Sequence, residues 1–219
     1  GADTLTVTVH NQAPVIDAGP DDNIDEGATI YFEGSFTDEG WLDTHEATWD
    51  WGDGTPIEPG VVTEYHPKFG GSGTIAGSHK YADNGIYTVT LIVWDQDEAT
   101  IADTLDVTVF NVDPIVQNIF PDQMPYAGTP IRFKISFSDQ GWADTHTGSV
   151  DWGDSTTTSG LIPVETNTPH EAVGVFETTH QFSTPNKTYR ILFTLTDDDS
   201  GAHTKSYLIV PLPYFIVGE

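Results

Sequence analysis

The residues best equipped for chemistry are paired aspartates that occur twice. Asp38 and Asp43 lie in Phe36-Thr-Asp-Glu-Gly-Trp-Leu-Asp-Thr-His45, and Asp139 and Asp144 hold the same places in Phe137-Ser-Asp-Gln-Gly-Trp-Ala-Asp-Thr-His146, 101 positions later. A second pair, Asp95 and Asp97, returns as Asp197 and Asp199, while Asn11 precedes the first set and Asn111 and Asp113 precede the second. Carboxylates gathered in one corner repel unless a cation neutralises them, and Ca2+ takes about six to eight such oxygens with flexible geometry. The expected first site is Asp38, Asp43, Asp95 and Asp97 with Asn11. The expected second is Asp139, Asp144, Asp197 and Asp199 with Asn111 and Asp113. Gly40 and Gly141, inside the first pairs, are expected to let a backbone carbonyl turn inward. A competing reading makes the same acids ordinary turn aspartates that accept hydrogen bonds from loop amides.

Other chemistries fit less well. The chain lacks the helix-loop-helix calcium pattern, since Asp95-Gln-Asp-Glu98 is without the following Gly and terminal Glu. His45 and His146 invite a zinc reading, yet no compact set of His and Cys ligands surrounds them, so they are expected to brace the acidic loops. A glycosidase needs two unlike carboxylates in a cleft, whereas these repeat identically, and no nucleophile-elbow, His-Glu-x-x-His or phosphate-loop pattern is present. No catalytic residue is assigned, and the chain reads as a non-enzyme. Trp41 and Trp142 stand in the acidic loops and Trp94 falls out of phase with Val89, Leu91 and Val93. Exposed indoles there could stack on a polysaccharide or a protein polymer; folded down, they would be lids on the domain end.

These loops need elements to position them, and period-two alternation supplies them. Leu5, Val7, Val9; Ile30, Phe32, Phe36; Tyr87, Val89, Leu91, Val93; Leu105, Val107, Val109; and Tyr189, Ile191, Phe193, Leu195 all read as half-buried strands. No stretch has helical periodicity. Each repeat is therefore expected to be an all-β sandwich of about seven strands. In immunoglobulin order, Asp38–His45 joins the second and third strands and Asp95–Glu98 joins the last two, both at the end where Asn11-Gln-Ala-Pro14 enters.

Composition narrows the partners. With 34 acidic against 7 basic residues the formal net charge is -27, so nucleic acid and anionic membranes are poor partners and cations good ones. No cysteine is available for a disulfide staple. No apolar run approaches the roughly 18 residues that span a bilayer, and any export signal or anchor is expected outside these residues. Ala2-Asp-Thr-Leu-Thr-Val-Thr-Val recurs as Ala102-Asp-Thr-Leu-Asp-Val-Thr-Val, which makes residues 1–10 the expected closing strand of a preceding module, 11–110 a first domain and 111–219 a second.

The remaining repeated residues carry a resemblance. Trp49-Asp-Trp-Gly-Asp-Gly54, with Val150-Asp-Trp-Gly-Asp-Ser155 in the second copy, then His79-Lys-Tyr81, Gly85-Ile-Tyr-Thr-Val-Thr-Leu91 and Asp95-Gln-Asp97, resembles the PKD (polycystic kidney disease) domain. The resemblance implies tandem immunoglobulin-like sandwiches of an extracellular, cell-surface or S-layer protein, or an accessory module of a secreted hydrolase. In the repeated motif Trp51 and Trp152 are expected to be core, Gly52 and Gly54 to make a tight turn, and Asp53 to accept from that turn's amides. The expected function is a calcium-stiffened spacer or adhesion stalk, its partners being calcium, neighbouring modules, and a surface protein or polysaccharide.

Overall fold

Alternating side chains make this chain all-β in its computed structural model, which describes residues 3–40, 42–66, 70–161, 165–168 and 171–214. Two compact units divide it: one is Gly1–Ile24, Ala28–Tyr81 and Gly85–Val109, the other Asp25–Gly27, Ala82–Asn84 and Phe110–Glu219. Two short segments of the first sequence repeat thus belong to the second unit. Residues 3–14 form no strand, and Leu5, Val7 and Val9 are exposed.

The first unit contains β1 (Val15–Asp17), β2 (Asp22–Asp25), β3 (Ile30–Asp38), β4 (His45–Asp50), β5 (Glu58–Pro59), β6 (Val61–Tyr65), β7 (Gly71–His79), β8 (Gly85–Asp95) and β9 (Thr100–Phe110). One sheet has the order β1-β3-β7-β6, the other β2-β9-β8-β4-β5. Every second residue of β3 points inward (Ile30, Phe32, Phe36), as do Trp49 of β4, Val89, Leu91 and Val93 of β8, and Leu105, Val107 and Val109 of β9. Side chains of both sheets thereby fill one core. The middle stretch supplies more strands than the expected seven, because its Gly- and Thr-rich segments pair along β3 without needing an apolar pattern of their own.

The second unit repeats the plan with β10 (Ile115–Pro121), β11 (Ile131–Asp139), β12 (Thr147–Asp151), β13 (Thr157–Leu161), β14 (Glu165–Thr168), β15 (Glu171–His180), β16 (Tyr189–Thr196) and β17 (Ala202–Ile209). Its sheets are β10-β11-β15-β14 and β13-β12-β16-β17. Phe133, Phe137, Trp152, Phe176 and Phe193 anchor its core.

The repeated Trp motif is a packing device. Trp51 and Trp152 are fully buried, and His79 and His180 stack on them at 5.0 and 4.4 Å while bonding Asp53 and Asp154 at 2.8 Å each. Asp53 also accepts from Thr55 N at 3.0 Å, and Gly52 and Gly54 have φ of 78° and 81°, as the turn reading expects. Ser155 takes the same left-handed conformation, φ 74°, without being glycine. Gly77 of β7 lies under the indoles: a Cβ there would sit 2.8 Å from Trp49 and Trp51 atoms. Gly77→Ala is expected to lower stability by about 1–3 kcal/mol through overpacking, measured by urea denaturation.

Candidate metal centres

Strand ends deliver the acids. In the first unit Asp38 is the last residue of β3 and Asp95 the last of β8, while the β4–β8 register sets His45 opposite Asp95. Asp38, Asp43 and Asp95 each offer a carboxylate oxygen, all within 4.8 Å of one another. Asn11 joins them, donating to Asp95 Oδ2 at 2.7 Å. Asp97 is exposed and stands outside this trio, although its amide donates to Asp95 Oδ1 at 2.9 Å.

Each acid there has a different electrostatic setting. Burial would raise Asp95, yet hydrogen bonds from Asn11 and from the Ala99 and Asp97 amides hold it below the usual carboxylate range. Asp43 is pushed up, first by burial and then by Asp38, Asp97 and Asp95. His45 braces the corner, its Nε2 3.0 Å from Asp38 Oδ2 and its Nδ1 3.1 Å from Glu64 Oε1. Beside the trio opens a cleft of about 460 Å³ lined by Asn11, Gly40, Asp43 and Asp97.

The second unit's cluster is larger and more deeply buried. Glu26, Asp139 and Asp144 form one trio of carboxylates and Asp83, Asp144 and Asp199 a second, each with its oxygens within 4.8 Å. Glu26 is 0% exposed, Asp144 2%, Asp139 3% and Asp197 5%. His146 Nε2 lies 2.9 Å from Asp139 Oδ2, repeating the His45 brace. Asn111 Nδ2 donates to Asp197 Oδ2 at 3.1 Å, and Val112 N donates to Glu26 Oε1 at 2.8 Å.

Four buried oxygens remain without a hydrogen-bond partner among the described residues: Glu26 Oε2, both carboxylate oxygens of Asp144, and Asn111 Oδ1. A buried polar atom left unpaired costs about 1–3 kcal/mol, more when charged. The carboxyls respond accordingly. Burial, reinforced by Asp139, Asp83 and Asp197, pushes Glu26 up to about 7. Burial, followed by Glu26 and Asp139, pushes Asp144 up to about 8.

The glycines among these acids make close approach possible. A Cβ on Gly40 would overlap Asp43 Oδ2 at 1.9 Å, one on Gly141 would meet Asp144 Oδ2 at 2.4 Å, and one on Gly201 would meet Asp197 Oδ2 at 2.3 Å and Asp113 Oδ1 at 2.8 Å. The Gly40 and Gly141 carbonyls accept from Asp43 N and Asp144 N, at 3.0 and 3.3 Å, and so close the loop turn.

Of the expected second set, Asp139 and Asp144 share one trio and Asp144 and Asp199 the other, while buried Asp197 is bonded to half-buried Asn111 and Asp113 is exposed. Glu26 and Asp83 lie outside the expected set, because neither recurs as an acid in the second repeat. At the 101-residue offset Glu26 meets Ala127 and Asp83 meets Thr184. The one available signal was Glu26-Gly27 in a turn whose counterpart, Ala127-Gly128, keeps only the glycine. Trp142 and Trp94 are half-buried, and Trp41 lies outside the described residues.

Among the described residues all three ligand-like clusters consist of carboxylates, with neither His nor Cys, the donor set of a hard cation. The class defined so far is a pair of β-sandwich units with acidic loop clusters. The PKD domain family model matches residues 11–109. That match covers the first repeat, and the second repeat carries the same Trp-Gly-Asp motif residues on a similar two-sheet plan. PKD and immunoglobulin-like domains are typically non-catalytic, extracellular adhesion or spacer modules. No curated protein matches the sequence significantly.

Among solved structures, the Ig1–Ig3 ectodomain of mouse nectin-like molecule 4 is 12% identical, TM-score 0.40, with 94% of this chain and 66% of that one covered. Red sea bream transglutaminase is 9% identical, TM-score 0.36, with 96% and 32% covered. DIP-gamma Ig1+Ig2 is 9% identical, TM-score 0.39, with 94% and 99% covered. The chain spans less than two thirds of the length of the first two. No helix among the described residues is long and apolar enough to cross a membrane.

Proposed function

We propose that this chain is a non-catalytic extracellular spacer or adhesion segment whose acidic loop clusters hold Ca2+. The observation that carries the reading is the set of unpartnered buried oxygens on Glu26, Asp144 and Asn111 beside buried Asp139. A hard divalent ion satisfies those atoms and removes the mutual repulsion that raises Glu26 and Asp144. In the first unit Asp38, Asp43 and Asp95 would be the ligands, with the Asn11 amide turned to present its oxygen. His45 and His146 hold the first aspartate of each loop in place rather than binding the metal.

The mechanical consequence follows from chain connectivity. In the second unit the ion would tie Asp25–Gly27 and Ala82–Asn84, which continue directly into β-strands of the first repeat, to loops of the second repeat. Ordering those segments removes local chain freedom and gives a stalk whose stiffness depends on extracellular calcium.

Thermal unfolding in chelator, in millimolar Ca2+ and in millimolar Mg2+ tests this. Ca2+ is expected to raise the melting temperature by about 10–20 °C, taking free ion at about 100 times Kd and the usual temperature shift per kcal/mol. An equal rise with Mg2+, or none with either, would sink the calcium reading.

A further inference from the structure

The second unit's cluster is not one trio but two that share a residue. Glu26, Asp139 and Asp144 face one point, and Asp83, Asp144 and Asp199 another. Asp144 is the common member, it is 2% exposed, and neither of its oxygens has a hydrogen-bond partner among the described residues. A carboxylate that served a single ion through one oxygen would leave the other buried and unsatisfied, at a cost proteins rarely carry. We infer that this cluster is a two-cation centre in which the Asp144 carboxylate bridges a pair of calcium ions. This inference rests on the calcium reading above.

The two positions differ in character. The inner one has Glu26 and Asp139, both buried. The outer one has Asp83, half-buried, and Asp199, exposed, so water completes its shell. Charge supports two ions as well. Glu26, Asp83, Asp139, Asp144, Asp197 and Asp199 are six carboxylates, against which one divalent ion leaves a large uncompensated negative charge. The first unit differs: its Asp38, Asp43 and Asp95 form a single trio, and Asn11 and Gln96 already donate to Asp95 and Asp43. One ion is expected there.

Equilibrium dialysis with radioactive calcium at near-physiological salt counts the ions. The parent is the full chain carrying Asp43→Asn and Asp95→Asn, which silences the first unit. It should bind two ions, with Asp83→Asn plus Asp199→Asn reducing this to one of little-changed affinity and Glu26→Gln weakening the inner ion at least tenfold. Circular dichroism in chelator confirms that each variant is folded, and anomalous scattering from calcium-soaked crystals locates the ions independently. A single ion in the parent, unaffected by Asp83→Asn plus Asp199→Asn, overturns the two-cation centre while leaving the calcium reading intact. No bound ion overturns both.

Discussion

Asp144→Asn is expected to abolish most of the calcium-dependent rise in melting temperature while leaving the cation-free protein as stable as the original or more so. The residue belongs to both carboxylate trios, is 2% exposed, and has no protein partner for either oxygen. In the absence of metal the folded chain must keep this carboxyl protonated, since burial and then Glu26 and Asp139 push it up to about 8. An isosteric amide does not titrate and loses nothing there. With calcium the balance inverts, because Asn supplies a neutral oxygen where a charged bridging carboxylate is needed. The original chain should gain about 10–20 °C and the variant only a few degrees. Calorimetry of both proteins in chelator and in millimolar calcium decides it; a variant destabilised equally in both conditions would make Asp144 a purely structural residue.

Cation-free protein should lose stability as pH rises, whereas calcium-loaded protein should hold it. Glu26 and Asp144 rise from 4.5 and 3.8 to about 7 and about 8 on folding, so between these values the folded chain holds protons that the unfolded chain has released. Stability then falls as pH rises, starting near the unfolded values and levelling off above about 8. Among the described residues, the groups facing this pair are Asp139, Asp83, Asp197 and Asp199, all acidic, while the Val112 amide donates to Glu26. Calcium competes with those protons and binds the ionised carboxylates, so at saturating calcium the loaded protein should keep a nearly level stability over the same window. Melting temperatures from pH 5 to 9, with and without calcium, would show diverging curves. Glu26→Gln combined with Asp144→Asn should flatten the cation-free curve, which separates these two groups from the repulsion of the whole acidic surface. Parallel curves would remove the cluster from the account of stability.

Much of the fold was legible because it rests on local rules. Period-two runs such as Tyr87 to Val93 and Tyr189 to Leu195 lie in β8 and β16 with their apolar faces buried, since alternation leaves a strand one side to bury. Trp51, Trp152, Gly52, Gly54 and Asp53 take the places the repeated motif assigns, because turn geometry and core filling are decided within a few residues. The strands β6, β7, β14 and β15 were harder to read. Segments such as Gly71–His79 are rich in Gly, Ser and Thr and owe their strand form to pairing with β3, a long-range effect.

The sequence by itself determined the two-repeat plan, the all-β class, the Trp-centred motif and the gathering of Asp38, Asp43 and Asp95 in the first unit. Recurrence at a fixed offset marks the residues that every copy needs. The tertiary structure alone decided that Glu26 and Asp83, which have no acidic counterparts in the second repeat, join Asp139, Asp144 and Asp199. It also decided that Gly40 and Gly141 lie where a Cβ would collide with the crowded carboxylates. The physical reason is common to both. A metal-type cluster is set by which loops meet across more than a hundred residues of chain, and neither periodicity nor local spacing carries that information.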